Sequence, residues 1–239
     1  MVDAQTVTQV QPESKPKAKA GAAGTVVLAG LTLVTSLLAI WMWRGGNASG
    51  LEAVSFVTGA VCVWLTVREN IWTFPIGLLN VTTFSIVSYR AGLFGDAGLQ
   101  VVYFVLSCVG WYMWLYGGER RTAMKVGRTS VHELSFVIVL IAVGTVLLWK
   151  VLHLAGGSTT FFDGLTTSMS LGAQWLTNRK KLESWIFWIV VDVIYVPLYI
   201  YKDLHLTAIL YAVFLCMAVM GLVQWHRTYR AATLATVRV

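Results

Sequence analysis

The chain has 239 residues, of which 57% are hydrophobic and 12% charged, and its mean hydropathy is +0.69. A soluble domain carries about 25% charged residues, so this composition excludes an ordinary water-soluble globule and points to an integral membrane protein. The net charge of +7 does not call for a nucleic-acid partner, because the positive side chains sort by membrane side.

Residues 1–20 are polar, basic and rich in Ala, Lys and Pro, and are expected to form a disordered cytoplasmic tail with no cleavable signal peptide. The apolar runs that follow are continuous rather than alternating, which selects membrane helices over a barrel. Eight spans are expected, at 25–43, 51–67, 71–89, 97–116, 135–154, 161–177, 185–201 and 206–225. Trp41 and Trp43 close the first as interfacial anchors. The third opens with "WTFPIG", which carries Trp72 and Pro75, and places Asn80 near its centre. Gln100, Tyr103, Ser107, Trp111 and Trp114 share one face of the fourth. The fifth is mostly apolar. Asp163, Thr166, Thr167, Ser170, Gln174 and Thr177 share one face of the sixth. Cys62, Cys108 and Cys216 all lie inside apolar runs and form neither a disulfide framework nor a zinc spacing.

The seventh span is the most informative. Trp185, Trp188, Asp192, Tyr195 and Tyr199 fall within an arc of about 80° at ~100° per residue. Of eleven carboxylates, Asp192 alone lies deep in a span. A charge at a bilayer centre costs roughly 2.5–3.5 kcal/mol even on lenient insertion scales, so Asp192 is expected to face an internal cavity. A ligand contact and an internal structural hydrogen bond both meet that need. Small and polar residues elsewhere serve helix packing as readily as ligand binding. Pro75 and Pro197 each remove a backbone hydrogen bond, giving either a hinge for alternating access or static shaping of the bundle.

Positive charges divide 14 to 4 across these spans. Lys15, Lys17, Lys19, Arg68, Arg120, Arg121, Lys125, Arg128, Arg179, Lys180, Lys181, Arg227, Arg230 and Arg238 fall on one side; Arg44, Arg90, Lys150 and Lys202 fall on the other. Both termini are therefore expected in the cytoplasm.

The chain also repeats internally. "WLTVRE" from Trp64 returns 111 residues later as "WLTNRK" from Trp175, and Glu52 returns as Asp163. Leu93, Ala97, Leu99, Val102, Gly110 and Trp114 return as Leu204, Ala208, Leu210, Val213, Gly221 and Trp225. Tyr89-Arg90 matches Tyr201-Lys202 only at an offset of 112, which would pair Asn80 with Asp192. Two three-helix units separated by one linker helix have the same orientation. The expected fold is thus an all-α polytopic membrane protein with a 3+1+3 parallel repeat. Its segments are a tail (1–20), an extra N-terminal helix and loop (21–50), a first repeat (51–118), a cytoplasmic loop and linker helix (119–156), a second repeat (157–226) and a cytoplasmic tail (227–239).

Tryptophan and tyrosine faces suit flat rings, sugar faces and cations. The amides of Asn80, Gln100 and Gln174 offer donors and acceptors. No Arg or Lys lies deep in a span, so a phosphate or carboxylate would lack a counter-charge. The cavity favours a neutral or cationic, ring-bearing, hydroxylated solute. No catalytic constellation, metal cluster or cofactor motif is present: the four histidines lie at span ends or in loops, and neither HExxH nor GxSxG occurs. A proton-coupled carrier stays open, since Asp192 could titrate.

"WLTVRENIWTFPIGLLNV", "GDAGLQVVYFVLSCVGWYMW" and "QWLTNRKKLESWIFWIVVDVIYVPLYIYKDLHLTAILYAVF" resemble the PnuC family of bacterial nicotinamide riboside transporters over about residues 51–226. The resemblance implies a SWEET-like fold in the inner membrane. It implies facilitated diffusion of nicotinamide riboside, an NAD precursor trapped inside by phosphorylation, and a homo-oligomer, a trimer. Its pattern carries over onto Trp185, Trp188 and Asp192, and onto Trp72, Pro75, Gly77 and Asn80. Relatives in that family carry thiamine or riboflavin, and those remain alternatives. Gln100, Gln174, Tyr103 and Tyr195 complete the expected substrate set; Pro75, Pro197 and Trp72 are the expected hinge or gate.

Overall fold

A computed structural model describes residues 22–46, 48–90, 94–154, 160–201 and 205–237. The expectations for residues 1–20, for Leu93, Lys202 and Leu204, and for most of the loop before the sixth span lie outside the described residues. Eight helices follow in order: α1 (Ala22–Arg44), α2 (Gly50–Val67), α3 (Thr73–Arg90), α4 (Phe94–Tyr116), α5 (Val131–Leu154), α6 (Thr160–Asn178), α7 (Ser184–Tyr201) and α8 (His205–Val237). A short 3-10 turn, Glu119–Arg121, follows α4. Among the described residues no strand forms beyond a single parallel bridge between Gly127 and Lys181.

Six helices, all but α3 and α6, contain a stretch long and apolar enough to cross a membrane. The two exceptions are the most polar, and α6 is also heavily buried, with Thr160, Thr166, Ser168, Ser170, Thr177 and Asn178 inside the bundle. Polar side chains are tolerated at membrane depth where protein rather than lipid surrounds them. The flanking α5 shows the converse, presenting Val139, Val143 and Leu147 outward and burying Val137, Ile141 and Thr145 against its neighbour α6.

The α1 helix packs on α2 and α8, and α5 on α6. The series α2–α3–α4 packs in sequence, as does α6–α7–α8; the two series meet where α2 touches α8 and α4 touches α6. Several contacts recur at a spacing of 111 residues. Trp114 Nε1 donates to the Thr177 carbonyl, and Trp225 Nε1 donates to the Thr66 carbonyl, both at 3.1 Å. Phe74 meets Trp114 edge-on at 5.1 Å, and Trp185 meets Trp225 edge-on at 5.4 Å. Glu69 (φ 52°) and Lys180 (φ 49°) both adopt left-handed backbone just past the ends of α2 and α6, and their side chains pair at 3.4 Å. Such a conformation costs a non-glycine residue roughly 1–2 kcal/mol; here it falls in the turns that join α2 to α3 and α6 to α7, where the two charges meet.

These contacts correct one expectation. With Thr73 and Ser184 opening their helices and Phe74 matching Trp185, the middle helices also register at 111. The pairing of Asn80 with Asp192 therefore falls away. Two other details differ. The α8 helix continues to Val237, well past the expected end of its span at 225. Pro75 lies in the first turn of α3, where a backbone N–H has no helical partner to lose, so it forces no kink; Pro197 is the proline inside a helix.

Residues 122–130 form a strap against the α6–α7 turn. Gly127 N donates to the Lys180 carbonyl (3.0 Å), and Leu182 N donates to the Gly127 carbonyl (2.9 Å). The Glu183 carboxylate accepts from Arg128 Nε (2.9 Å) and from both the backbone N–H and the hydroxyl of Thr129 (2.8 Å each). Burial alone would raise the Glu183 pKa; the Thr129 and Arg128 hydrogen bonds outweigh it and hold the carboxyl below its usual value.

Candidate functional site

Asp192 sits midway along α7 and is 5% exposed. Its carboxylate accepts no hydrogen bond from any described residue. The surroundings are aromatic and hydroxylic. One and two turns further along α7, Tyr195 and Tyr199 stack at 5.4 Å, and Tyr211 of α8 closes the group at 4.6 Å and 5.0 Å from them.

The polar face of α6 organises the rest. Thr166 meets the Tyr195 hydroxyl and Ser170 meets the Tyr103 hydroxyl. Thr177 Oγ1 accepts from Trp188 Nε1 at 3.1 Å. Gln174 Nε2 donates to Asn178 Oδ1 at 2.9 Å, and Asn178 Nδ2 donates onward to the Leu106 carbonyl of α4 at 2.7 Å. Tyr103, Gln174, Trp188 and Tyr195 are therefore gathered around α6, between α4 and α7, on the helix-facing side that also carries Asp192. Gln100, one turn before Tyr103 on α4, is half-buried.

Other expected site residues stand elsewhere. Asn80 is bound to α2: its Nδ2 donates to the Ser55 carbonyl (2.6 Å) and to Thr58 Oγ1 (3.2 Å). Trp185 lies seven residues from Asp192, about 10.5 Å along the helix axis, and is sealed at 3% exposure between Trp225 and Gly221. It belongs to an aromatic and aliphatic cluster with Val67, Phe74, Trp114, Leu182, Met217 and Trp225 at the basic end of the bundle. Trp72, 63% exposed in the α2–α3 turn, lies at the surface.

Asn178 and Tyr211 were not singled out from the sequence. Asn178 had a signal, since it stands in "WLTNRK" where the first unit has Val67. Fully buried, it holds α4 and α6 together, and the close approach is set by Gly110, where any Cβ would strike the Asn178 amide and the Phe74 ring. Tyr211 carried no mark in an apolar run.

Among the described residues no group of three His, Cys, Asp or Glu side chains could hold a metal. A polytopic helical bundle with polar helices enclosed by apolar ones, and a buried carboxylate among aromatic rings, defines a membrane transporter for a small solute. The chain belongs to the nicotinamide mononucleotide transporter family, whose model matches residues 49–227. It is 28% identical to the nicotinamide riboside transporter PnuC of Haemophilus influenzae, covering 79% of this chain and 84% of that protein. It is 26% identical to the riboflavin/roseoflavin transporter RibM of Streptomyces davaonensis, covering 73% of this chain and 83% of that protein. The crystal structure of the vitamin B3 transporter PnuC superposes with a TM-score of 0.69 and 26% identity, covering 89% of this chain and 94% of that one.

Proposed function

We propose that this protein carries nicotinamide riboside across a bacterial inner membrane by facilitated diffusion, with both termini in the cytoplasm. The observation that carries the substrate assignment is Asp192: a buried carboxylate with no partner among the described residues, set among rings and hydroxyls. A ribose diol supplies two donors for that carboxylate. The cationic nicotinamide ring suits an aromatic face, and Trp188, its N–H already held by Thr177, offers one. Tyr195, Tyr103, Gln174 and Gln100 would complete the contacts, and Asn80 retains a carbonyl oxygen for the carboxamide. With no Arg or Lys at the site, a mononucleotide phosphate has no counter-charge, which favours the riboside over its phosphorylated form and suits a carrier whose product is trapped by phosphorylation.

The pairs at a spacing of 111 support two three-helix units, α2–α4 and α6–α8, with α5 between them and α1 in front, all eight helices crossing the membrane. Substrate would pass between the units, released when the Trp185–Trp225 cluster parts; Pro197 is the hinge candidate, with Pro75 and Trp72 beside the α2–α3 turn. A trimer remains the expected assembly.

Purified protein in liposomes should equilibrate labelled nicotinamide riboside without an ion gradient, and unlabelled riboside should compete where the mononucleotide does not. Accumulation above the outside concentration, abolished by a protonophore, would establish a proton-coupled carrier instead. Competition by riboflavin alone would move the assignment to the substrate named for RibM.

A further inference from the structure

On the outward face of its last turns against the bundle, α8 carries a groove of about 430 Å³ lined by Leu222, Val223, His226, Arg227 and Arg230. Its depth in the membrane follows from two contacts. Trp225 reaches the Thr66 carbonyl near the end of α2, and Arg68, just past that end, donates to Thr25 Oγ1 near the start of α1. These positions share one level, where α2 leaves the apolar layer. Leu222 and Val223 lie just inside it. Arg227 and Arg230 rise about 3 and 7.5 Å beyond Trp225, into the headgroup layer.

Several charges at this end of the molecule have partners within the fold. Arg128 pairs with Glu183, Arg179 and Lys181 with Glu133, and Lys180 with Glu69. Arg227 and Arg230 have no hydrogen-bond or ion-pair partner among the described residues, and no Asp or Glu follows Asp203 in the sequence. Two uncompensated guanidinium groups on one helix face, one turn above an apolar floor, match a ligand with an anionic head and an apolar tail. We propose that this groove seats the headgroup of an anionic phospholipid, its phosphate bridged by Arg227 and Arg230 and an acyl chain laid against Leu222 and Val223. Guanidinium forks bind phosphate oxygens in pairs, and the apolar floor selects a lipid over a soluble phosphate.

The test is thermal melting of detergent-purified full-length protein titrated separately with phosphatidylglycerol, phosphatidylcholine and inorganic phosphate. Phosphatidylglycerol should raise the melting temperature saturably, less so in high salt, and the other two should not. A basic side chain near an anionic surface contributes roughly fivefold in affinity, so R227Q/R230Q should need about 30 times more phosphatidylglycerol for half the effect. R120Q/R121Q, which removes equal charge outside the groove, should respond as wild type. Equal stabilisation by phosphatidylcholine, a full response to inorganic phosphate, or an unchanged response in R227Q/R230Q would overturn the proposal. A change in oligomer size in R227Q/R230Q, with the phosphatidylglycerol response intact, would mark the groove as a protein contact and overturn it equally.

Discussion

Asp192→Asn separates a ligand contact from a structural role, because the structure fixes the expected sign of each effect. The side chain is 5% exposed and accepts no hydrogen bond from the described residues, so its replacement by an amide of the same shape breaks no described bond. A buried charge lacking a partner costs several kcal/mol, and the neutral amide lowers that cost. The melting temperature should therefore hold or rise. Binding should move the other way. A hydrogen bond to a charged group contributes about 1.5–3 kcal/mol, so losing the ribose contact should weaken nicotinamide riboside by roughly 10- to 150-fold. Calorimetry on the purified variant reads the affinity, and differential scanning fluorimetry reads the stability. Free nicotinamide, which has the ring but no sugar, should bind wild type weakly and be almost indifferent to the change. A lowered melting temperature with affinity falling only as far as folding does, or wild-type affinity in a well-folded variant, would refute the reasoning.

Trp188→Ala should weaken riboside binding by about one to two orders of magnitude, since base-like rings stacked on aromatic side chains lose roughly 1–3 kcal/mol on alanine substitution; calorimetry checks this, with the exposed Trp41→Ala as the unaffected control. Gly110→Ala should lower thermal stability, because overpacking costs about 1–3 kcal/mol and exceeds the ~1 kcal/mol gained in helix propensity. Gly98→Ala, whose Cβ would meet nothing within 4 Å, should be neutral or stabilising in the same melting assay. Glu183 gives a pH dependence. Its folded pKa is depressed, so its contribution is fully present above the ordinary carboxylate pKa and is lost as pH falls through the depressed value. Amide protection at Gly127 and Thr129, taken relative to intrinsic exchange at each pH, should fall across that acid range in wild type, and Glu183→Gln should show the lower protection already at neutral pH.

Much of the fold was legible because membrane helices obey two strong constraints, apolar length and a polar face turned inward. The helices lie close to the expected spans, with α8 the exception, since His226, Arg227 and Arg230 end an apolar run without ending the helix. The expected site was legible in azimuth but not in depth. An arc places Trp185 and Asp192 on one side of α7, yet nothing in the arc says that Gly221 admits the Trp185 ring and seals it against Trp225. Asn80 was misregistered for a related reason. A one-residue offset turns a helix by about 100°, and only the Phe74–Trp114 and Trp185–Trp225 pairs distinguish 111 from 112. Asn178 and Tyr211 became visible through contacts between segments distant in sequence, with Leu106 and Tyr199, which periodicity within one helix cannot report.

The crossed tryptophan bonds carry an implication about descent and assembly. Trp114 donates to the Thr177 carbonyl of the other series, which also accepts from Lys180 N, and Trp225 donates to the Thr66 carbonyl, which also accepts from Glu69 N, so each series shares one turn acceptor with its counterpart. Two identical copies related by a two-fold axis would make this same pair of bonds, as in any isologous dimer. The exchange is what a duplicated ancestor would have inherited from a dimer, and it penalises drift in either half alone. Losing one indole removes a bond between the halves and leaves its partner bond unmatched, so the two tryptophans are answerable to each other across 111 residues of chain.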